Sequence, residues 1–120
     1  DEVLSFAVVE SVPIFPGCED AKDNNERKMC FQQKILVFVS QNFEFPEMAR
    51  QMGIQGRVYV NFVIEKNGSI SGVEVVRGVD PLLDDEAVRV VKKLPKLTPA
   101  KQRGKPVRMS FTLPINAKLQ

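Results

Sequence analysis

Arg57-Val58-Tyr59-Val60-Asn61-Phe62-Val63-Ile64-Glu65-Lys66-Asn67-Gly68-Ser69-Ile70 is the stretch that decides the fold. Val58, Val60, Phe62 and Ile64 alternate with Arg57, Tyr59, Asn61 and Glu65, the period of two required of a strand with one buried face. Asn67-Gly68 then reads as a hairpin turn, because both residues tolerate positive φ. Ile70 to Arg77 returns as the partner strand, with Val73 and Val75 on one face. Tyr59 reads as a strand residue at an edge of the core.

Downstream, Gly78-Val79-Asp80-Pro81 ends the strand and starts a helix, with Asp80 as cap and Pro81 in the first turn. Leu83, Ala87, Val90, Val91 and Leu94 recur at helical spacing. Asp84, Asp85 and Glu86 near its start and Lys92 and Lys93 near its end match the helix dipole, a better account of the acidic run than a metal or an acid–base pair. Pro95 stops the helix and a basic loop follows, Lys96 to Lys105. Val107 to Leu113 alternates again as the last strand. Pro114 marks its end, since proline cannot donate to a ladder.

Upstream, Phe45-Pro46 opens a short helix closed by Gly53, with Met48, Ala49 and Met52 supplying apolar contacts. Glu26 to Asn42 reads as a helix with Phe31, Ile35, Phe38 and Val39 near one face, although Ile35 to Val39 is also strand-compatible. Val3 to Val9 is a short apolar strand candidate, broken by Pro13, Pro16 and Gly17. Met29, Met48, Met52 and Met109 read as core filler. The order helix, strand, strand, helix, strand predicts an α+β fold: an antiparallel sheet of about three strands, two helices on one face, and an N-terminal strand and helix extension. The chain divides into that extension, residues 1–44, and a compact domain, residues 45–120.

With 120 residues, 43% of them apolar and 27% charged, the chain has room for one ordinary soluble domain. No apolar run approaches the roughly 20 residues that cross a bilayer. The chain lacks an initiator Met, so Asp1 reads as a boundary within a longer protein. There is no His, which removes the commonest general base and metal ligand. Neither an enzyme nor a metal or cofactor site is expected. Residues 1–80 carry eight basic and twelve acidic side chains, residues 81–120 nine basic and three acidic, so the C-terminal third favours acidic partners. Nucleic acid is a poorer fit, because no aromatic residues interleave with those charges. Cys18 and Cys30 flank a hydrophilic loop and read as a disulfide, which implies an oxidising compartment such as the bacterial periplasm.

The second half carries a recognisable pattern. It runs through Phe45-Pro46-Glu47-Met48-Ala49-Arg50, Gly53-Ile54-Gln55-Gly56-Arg57-Val58, Glu65-Lys66-Asn67-Gly68, Val75-Val76-Arg77-Gly78-Val79-Asp80, Leu83-Asp84-Asp85-Glu86-Ala87 and Pro95-Lys96-Leu97-Thr98-Pro99 to Val107–Ile115. This order resembles the C-terminal domain of TonB, the energy transducer of Gram-negative bacteria, over residues 45–119. Val9 to Gly17 is similar to the leader of Bacteroidetes-type members. Phe45 stands where the family usually has Tyr, and Leu97 where an aromatic residue is common. The Cys18–Cys30 loop is not a family-wide feature.

The resemblance implies a periplasmic domain, anchored to the inner membrane in the full-length protein and coupled there to an Exb-type motor complex. It implies binding of the TonB box, a short extended segment of an outer-membrane transporter, by β-strand addition. The expected partner-binding residues are Pro106, Val107, Arg108, Met109, Ser110, Phe111, Thr112 and Leu113, taken as the free edge of a terminal strand. Proline at Met109 or Ser110 would then block binding more than side-chain changes at Arg108, Ser110 or Thr112. Lys96, Lys101, Arg103, Lys105 and Arg108 are expected to steer acidic residues toward that edge. A second copy of the domain, or the Val3 to Val9 segment, would compete for it. A membrane sensor or peptidase-linked protein that has borrowed a TonB-like domain is the alternative reading.

Overall fold

The structure of the chain, a computed structural model, describes residues 2–119, so Asp1 lies outside the described residues. The elements are β1 (Val3–Ser5), α1 (Asn24–Asn42), α2 (Glu47–Gln51), β2 (Gly56–Ile64), β3 (Ile70–Arg77), α3 (Pro81–Lys92), β4 (Lys101–Gln102), β5 (Lys105–Pro106) and β6 (Arg108–Ala117). The main sheet has four strands in the order β1-β6-β2-β3, one more than the expected three, because the N-terminal extension adds β1 to it. β2 pairs antiparallel with β3 and with β6, and β1 runs parallel to β6.

The alternation in the deciding stretch does what it predicts. Val58, Val60, Phe62 and Ile64 are all fully buried, together with Met109, Leu113, Ile115 and Ala117 on β6. Leu83, Ala87 and Val91 of α3 pack against this face, and Asp80 caps that helix by accepting from the Leu82 N–H at 2.9 Å. α1 is a helix throughout, not a strand at Ile35–Val39. Its Asp23 cap accepts from the Glu26 N–H at 2.8 Å, and Phe31 and Ile35 are buried. Phe31 meets Phe111 at 5.1 Å and Phe6 at 5.2 Å between ring centroids, so α1 lies over β6 on the same face of the sheet as α3.

Several expectations change. β6 does not end at Leu113 but runs through Pro114 to Ala117. The basic loop contains a small hairpin, β4–β5, in which Arg103 takes the left-handed conformation at the turn with φ 52°. β1 stops at Ser5, because the chain turns at Phe6. Of the four methionines only Met109 is core; Met29, Met48 and Met52 are exposed, since α1 and the one-turn-long α2 each turn a single face inward. Tyr59 lies on the open face of the sheet, under the Arg77 guanidinium at 6.0 Å.

Cys18 and Cys30 are bonded, with Cα atoms 5.9 Å apart, tying the start of α1 to the preceding segment. Closing a loop of sequence separation 12 restricts the unfolded chain, worth about 3 kcal/mol. Reduction without denaturant is therefore expected to lower the thermal midpoint by about 10 °C in a calorimetric scan. An unchanged midpoint would mean that the N-terminal segment is held by packing alone.

Candidate functional site

The register of β6 against β2 is unbroken, from Gly56 opposite Ala117 to Ile64 opposite Met109. In an antiparallel ladder, successive residues point their backbone groups alternately toward and away from the partner strand. The Phe6 N–H donates to the Ser110 carbonyl at 3.1 Å, which fixes Ser110 as outward-pointing. Thr112, Pro114 and Asn116 share that parity, and Leu113, Ile115 and Ala117 bond to β2. Pro114 is thus tolerated in mid-strand because its missing N–H falls on the side where β2 needs no donor.

The outer side of β6 has two halves. Arg108, Met109 and Ser110 stand beside Val3, Leu4 and Ser5, and pairing ends there. From Thr112 to Ala117 no strand lies alongside among the described residues. The expectation that the last strand is terminal in the sheet is therefore corrected: β1 covers its first half, because an apolar Leu4 and Phe6 gain burial against the core there. The second half stays open.

A groove of about 620 Å³ runs along this open half, between residues 36–43 and residues 114–118. Its inner wall is apolar, with Leu36 on the flank of α1 beside Val39 and Phe43. Arg50, Arg57 and Lys118 also line it, and no acidic side chain does among the described residues. Arg50 stacks over the Phe45 ring at 5.3 Å and reaches Glu47 at 3.8 Å. Arg57 touches Asn116 Oδ1 at 3.3 Å and Tyr59 Oη at 3.4 Å.

The open face of the sheet is crossed by polar pairs. Asn61 Nδ2 donates to Thr112 Oγ1 at 2.8 Å, and Arg108 donates to Glu65 through Nε at 2.8 Å and Nη2 at 3.2 Å. The Ser71 hydroxyl also donates to Glu65. The Arg108 guanidinium, then Ser71, hold the Glu65 carboxyl below its usual range, and Glu65 in turn raises the pKa of Arg108. At Glu86 burial pushes the carboxyl up, but Arg89 and the Glu44 N–H outweigh it and leave the pKa lowered. A carboxyl depressed in the folded state stabilises above its unfolded pKa, about 4.3 for Glu, and that contribution is lost as pH falls through the folded value. Acid unfolding is thus expected to steepen below about pH 4. Glu65→Gln should make the acid limb of a denaturant–pH series shallower; an unchanged limb would remove Glu65 from the account.

Among the residues expected to bind a partner, Met109, Phe111 and Leu113 point inward, and Arg108 and Ser110 lie under β1. Pro106 belongs to β5, and Val107 donates its N–H to the Ala100 carbonyl. Thr112 alone of that set lies on the open stretch with its backbone groups pointing outward. Lys101, Arg103 and Lys105 belong to the β4–β5 hairpin, which docks on the N-terminal segment through Ser11 and Glu10. At the rise of a strand, β6 puts about 26 Å between Arg108, which follows that hairpin, and Asn116. Lys96 follows α3, and Arg108 is committed to Glu65. Sequence reasoning missed Val39, Phe43, Arg50, Arg57, Asn116 and Lys118; the one available signal was the apolar width of α1, whose Leu36 falls outside its buried stripe.

The family described as Gram-negative bacterial TonB protein C-terminal matches residues 41–119. Protein TonB from two Helicobacter pylori strains is 33% identical over 70 residues, covering 58% of this chain and 25% of each relative. The chain thus spans about a quarter of the length of the curated relatives it matches. Two solution NMR structures of the Helicobacter pylori TonB C-terminal domain are similar in fold. One has a TM-score of 0.61 at 24% identity, covering 88% of this chain and 91% of that one. The other has a TM-score of 0.57 at 27% identity, covering 73% and 92%.

Proposed function

This chain belongs to the TonB C-terminal domain family, and from that premise we propose that it is the periplasmic end of an energy transducer that grips the TonB box of outer-membrane transporters. The full-length protein is anchored in the inner membrane, where an Exb-type motor complex drives it with proton-motive energy for substrate import. No described helix is long and apolar enough to cross a membrane.

The observation that carries the reading is the open half of β6. An extended segment laid beside Thr112–Asn116 gains main-chain hydrogen bonds, each worth a net ~0.5–1.5 kcal/mol. Pulling along such a strand loads those bonds together. Lys101, Arg103 and Lys105 act at a distance on acidic transporter segments, an effect that fades with salt. Calorimetric titration with a synthetic TonB-box peptide from an outer-membrane transporter tests the reading. Saturable binding is expected, and the absence of binding at millimolar peptide would contradict it.

A further inference from the structure

We propose that the open face of the sheet carries an anion site, formed by Arg57, Tyr59 and Arg77, that takes a phosphoryl group borne on a larger molecule. The site uses side chains of β2 and β3 and does not rest on strand addition at β6.

The pairing of β2 with β3 assembles the cluster. Arg57 and Tyr59 are two residues apart on β2, so they share a face. Arg77 stands directly opposite Tyr59 on β3. Arg57 and Arg77 are therefore diagonal neighbours, about 7–8 Å apart at the backbone. Tyr59 lies between them. Arg57 Nη1 donates to its Oη at 3.4 Å, and the Arg77 guanidinium lies over its ring, 6.0 Å from the centroid. Together with Gly78 and Val79, these residues line a cavity of about 470 Å³. Gly56 shapes its end: a Cβ there would stand 2.8 Å from Val79 Cγ2, so the glycine lets Val79 close against β2.

Two like charges this close repel, and neither has an acidic partner among the described residues. Arg57 bonds to Asn116 and Tyr59, both neutral. Glu74, opposite Asn61 and further along β3, is exposed and joins no ion pair among the described residues. Asp80 and Asp84 serve the start of α3: they accept from the Leu82 and Val79 N–H groups, at the positive end of that helix. An anion between the guanidiniums removes the repulsion and occupies both. A phosphoryl group fits better than a carboxylate. It brings about −1.5 to −2 charges at pH 7 and three acceptor oxygens, one for each fork and one for the Tyr59 hydroxyl. A carboxylate has one charge and two oxygens. The cavity is larger than a phosphate, and Val79, 42% exposed, adds an apolar wall for the group that bears it.

The ¹⁵N-labelled chain is titrated at constant ionic strength with phenyl phosphate, inorganic phosphate and phenylacetate, and affinity is read from the amides of residues 57–59 and 77–79. Phenyl phosphate should saturate these shifts at millimolar concentration, about 3- to 5-fold more tightly than phenylacetate, the margin of one added exposed ion pair. Inorganic phosphate should shift the same amides but bind more weakly than the ester. Arg77→Gln should weaken phenyl phosphate by a similar factor, and Arg57→Gln/Arg77→Gln should abolish saturation. Both side chains are exposed, so the variants keep the wild-type spectrum elsewhere. Vesicles distinguish the source of the phosphate. Pelleting with phosphatidic acid vesicles but not with phosphatidylcholine vesicles, lost in the double variant, assigns the site to a lipid headgroup. Phenyl phosphate binding without pelleting assigns it to a soluble phosphate ester. Equal affinity for phenyl phosphate and either of the other two anions overturns the proposal, as do shifts that persist in the double variant or no shift at these amides.

Discussion

Gly68→Ala is expected to destabilise the domain by about 3 kcal/mol or more, enough to leave much of a marginal domain unfolded. Two independent penalties act at this one position. Gly68 sits at φ +88°, where an L side chain clashes with its own backbone at roughly 1–2 kcal/mol. A Cβ there would also stand 1.8 Å from the Leu97 carbonyl oxygen, which is backbone and cannot swing away. Relieving that overlap means pulling the loop after α3 off the hairpin, at a further ~1–3 kcal/mol. It would also break the bond from the Leu97 N–H to the Gly68 carbonyl, now 3.0 Å. Urea unfolding followed by circular dichroism gives the number. A loss under 1 kcal/mol, below what the positive φ alone predicts, would mean that the turn can reshape. Gly53 has positive φ but open space around it, so Gly53→Ala separates the conformational penalty from the steric one.

The second large effect is on binding. Thr112→Pro is expected to weaken a TonB-box peptide about tenfold, while leaving stability close to wild type. Proline removes the outward N–H of Thr112 and leaves a peptide carbonyl facing it without a donor, which costs more than the bond alone is worth. The β2 ladder is spared, because Thr112 has the same parity as Pro114, which the native strand already carries. Thr112→Val keeps the N–H and should bind normally even though it loses the bond from Asn61. Proline at Met109 cannot serve this purpose. Met109 points at β2 and is fully buried, so its replacement breaks the sheet before it reaches the binding edge. Peptide affinity measured by calorimetry on the Pro and Val variants decides the matter; equal weakening in both would assign the effect to the Thr112 side chain.

The central hairpin and α3 were legible because each obeys one period and ends at a residue with one job. Gly68 supplies positive φ, Asp80 a cap and Pro81 a first turn, and none of these depends on distant neighbours. The strand end at Pro114 was not legible in that way. Whether proline stops a strand depends on which side its nitrogen faces, and that parity is set by the pairing of Tyr59 with Pro114, a contact 55 residues apart. The place of β1 was legible as a competitor for the edge but not as a fixed parallel strand. Three residues carry too little pattern, and their position is decided by Phe6 finding Phe31 and Phe111. The groove was missed for the same reason. Leu36, Arg50, Arg57 and Lys118 come from four separate segments, and no local spacing brings them together.

Strand addition requires the open half of β6 to be the edge that receives a partner. The most direct measurement is amide hydrogen exchange of the labelled chain with and without a saturating TonB-box peptide. Thr112 and Asn116, whose N–H groups point outward, should gain strong protection, while Leu113 and Ile115, already bonded to β2, should change little. Protection appearing instead along the outer edge of β3, at Ile70–Arg77, with Thr112 and Asn116 unchanged, would contradict the account and move the binding edge to the opposite side of the sheet.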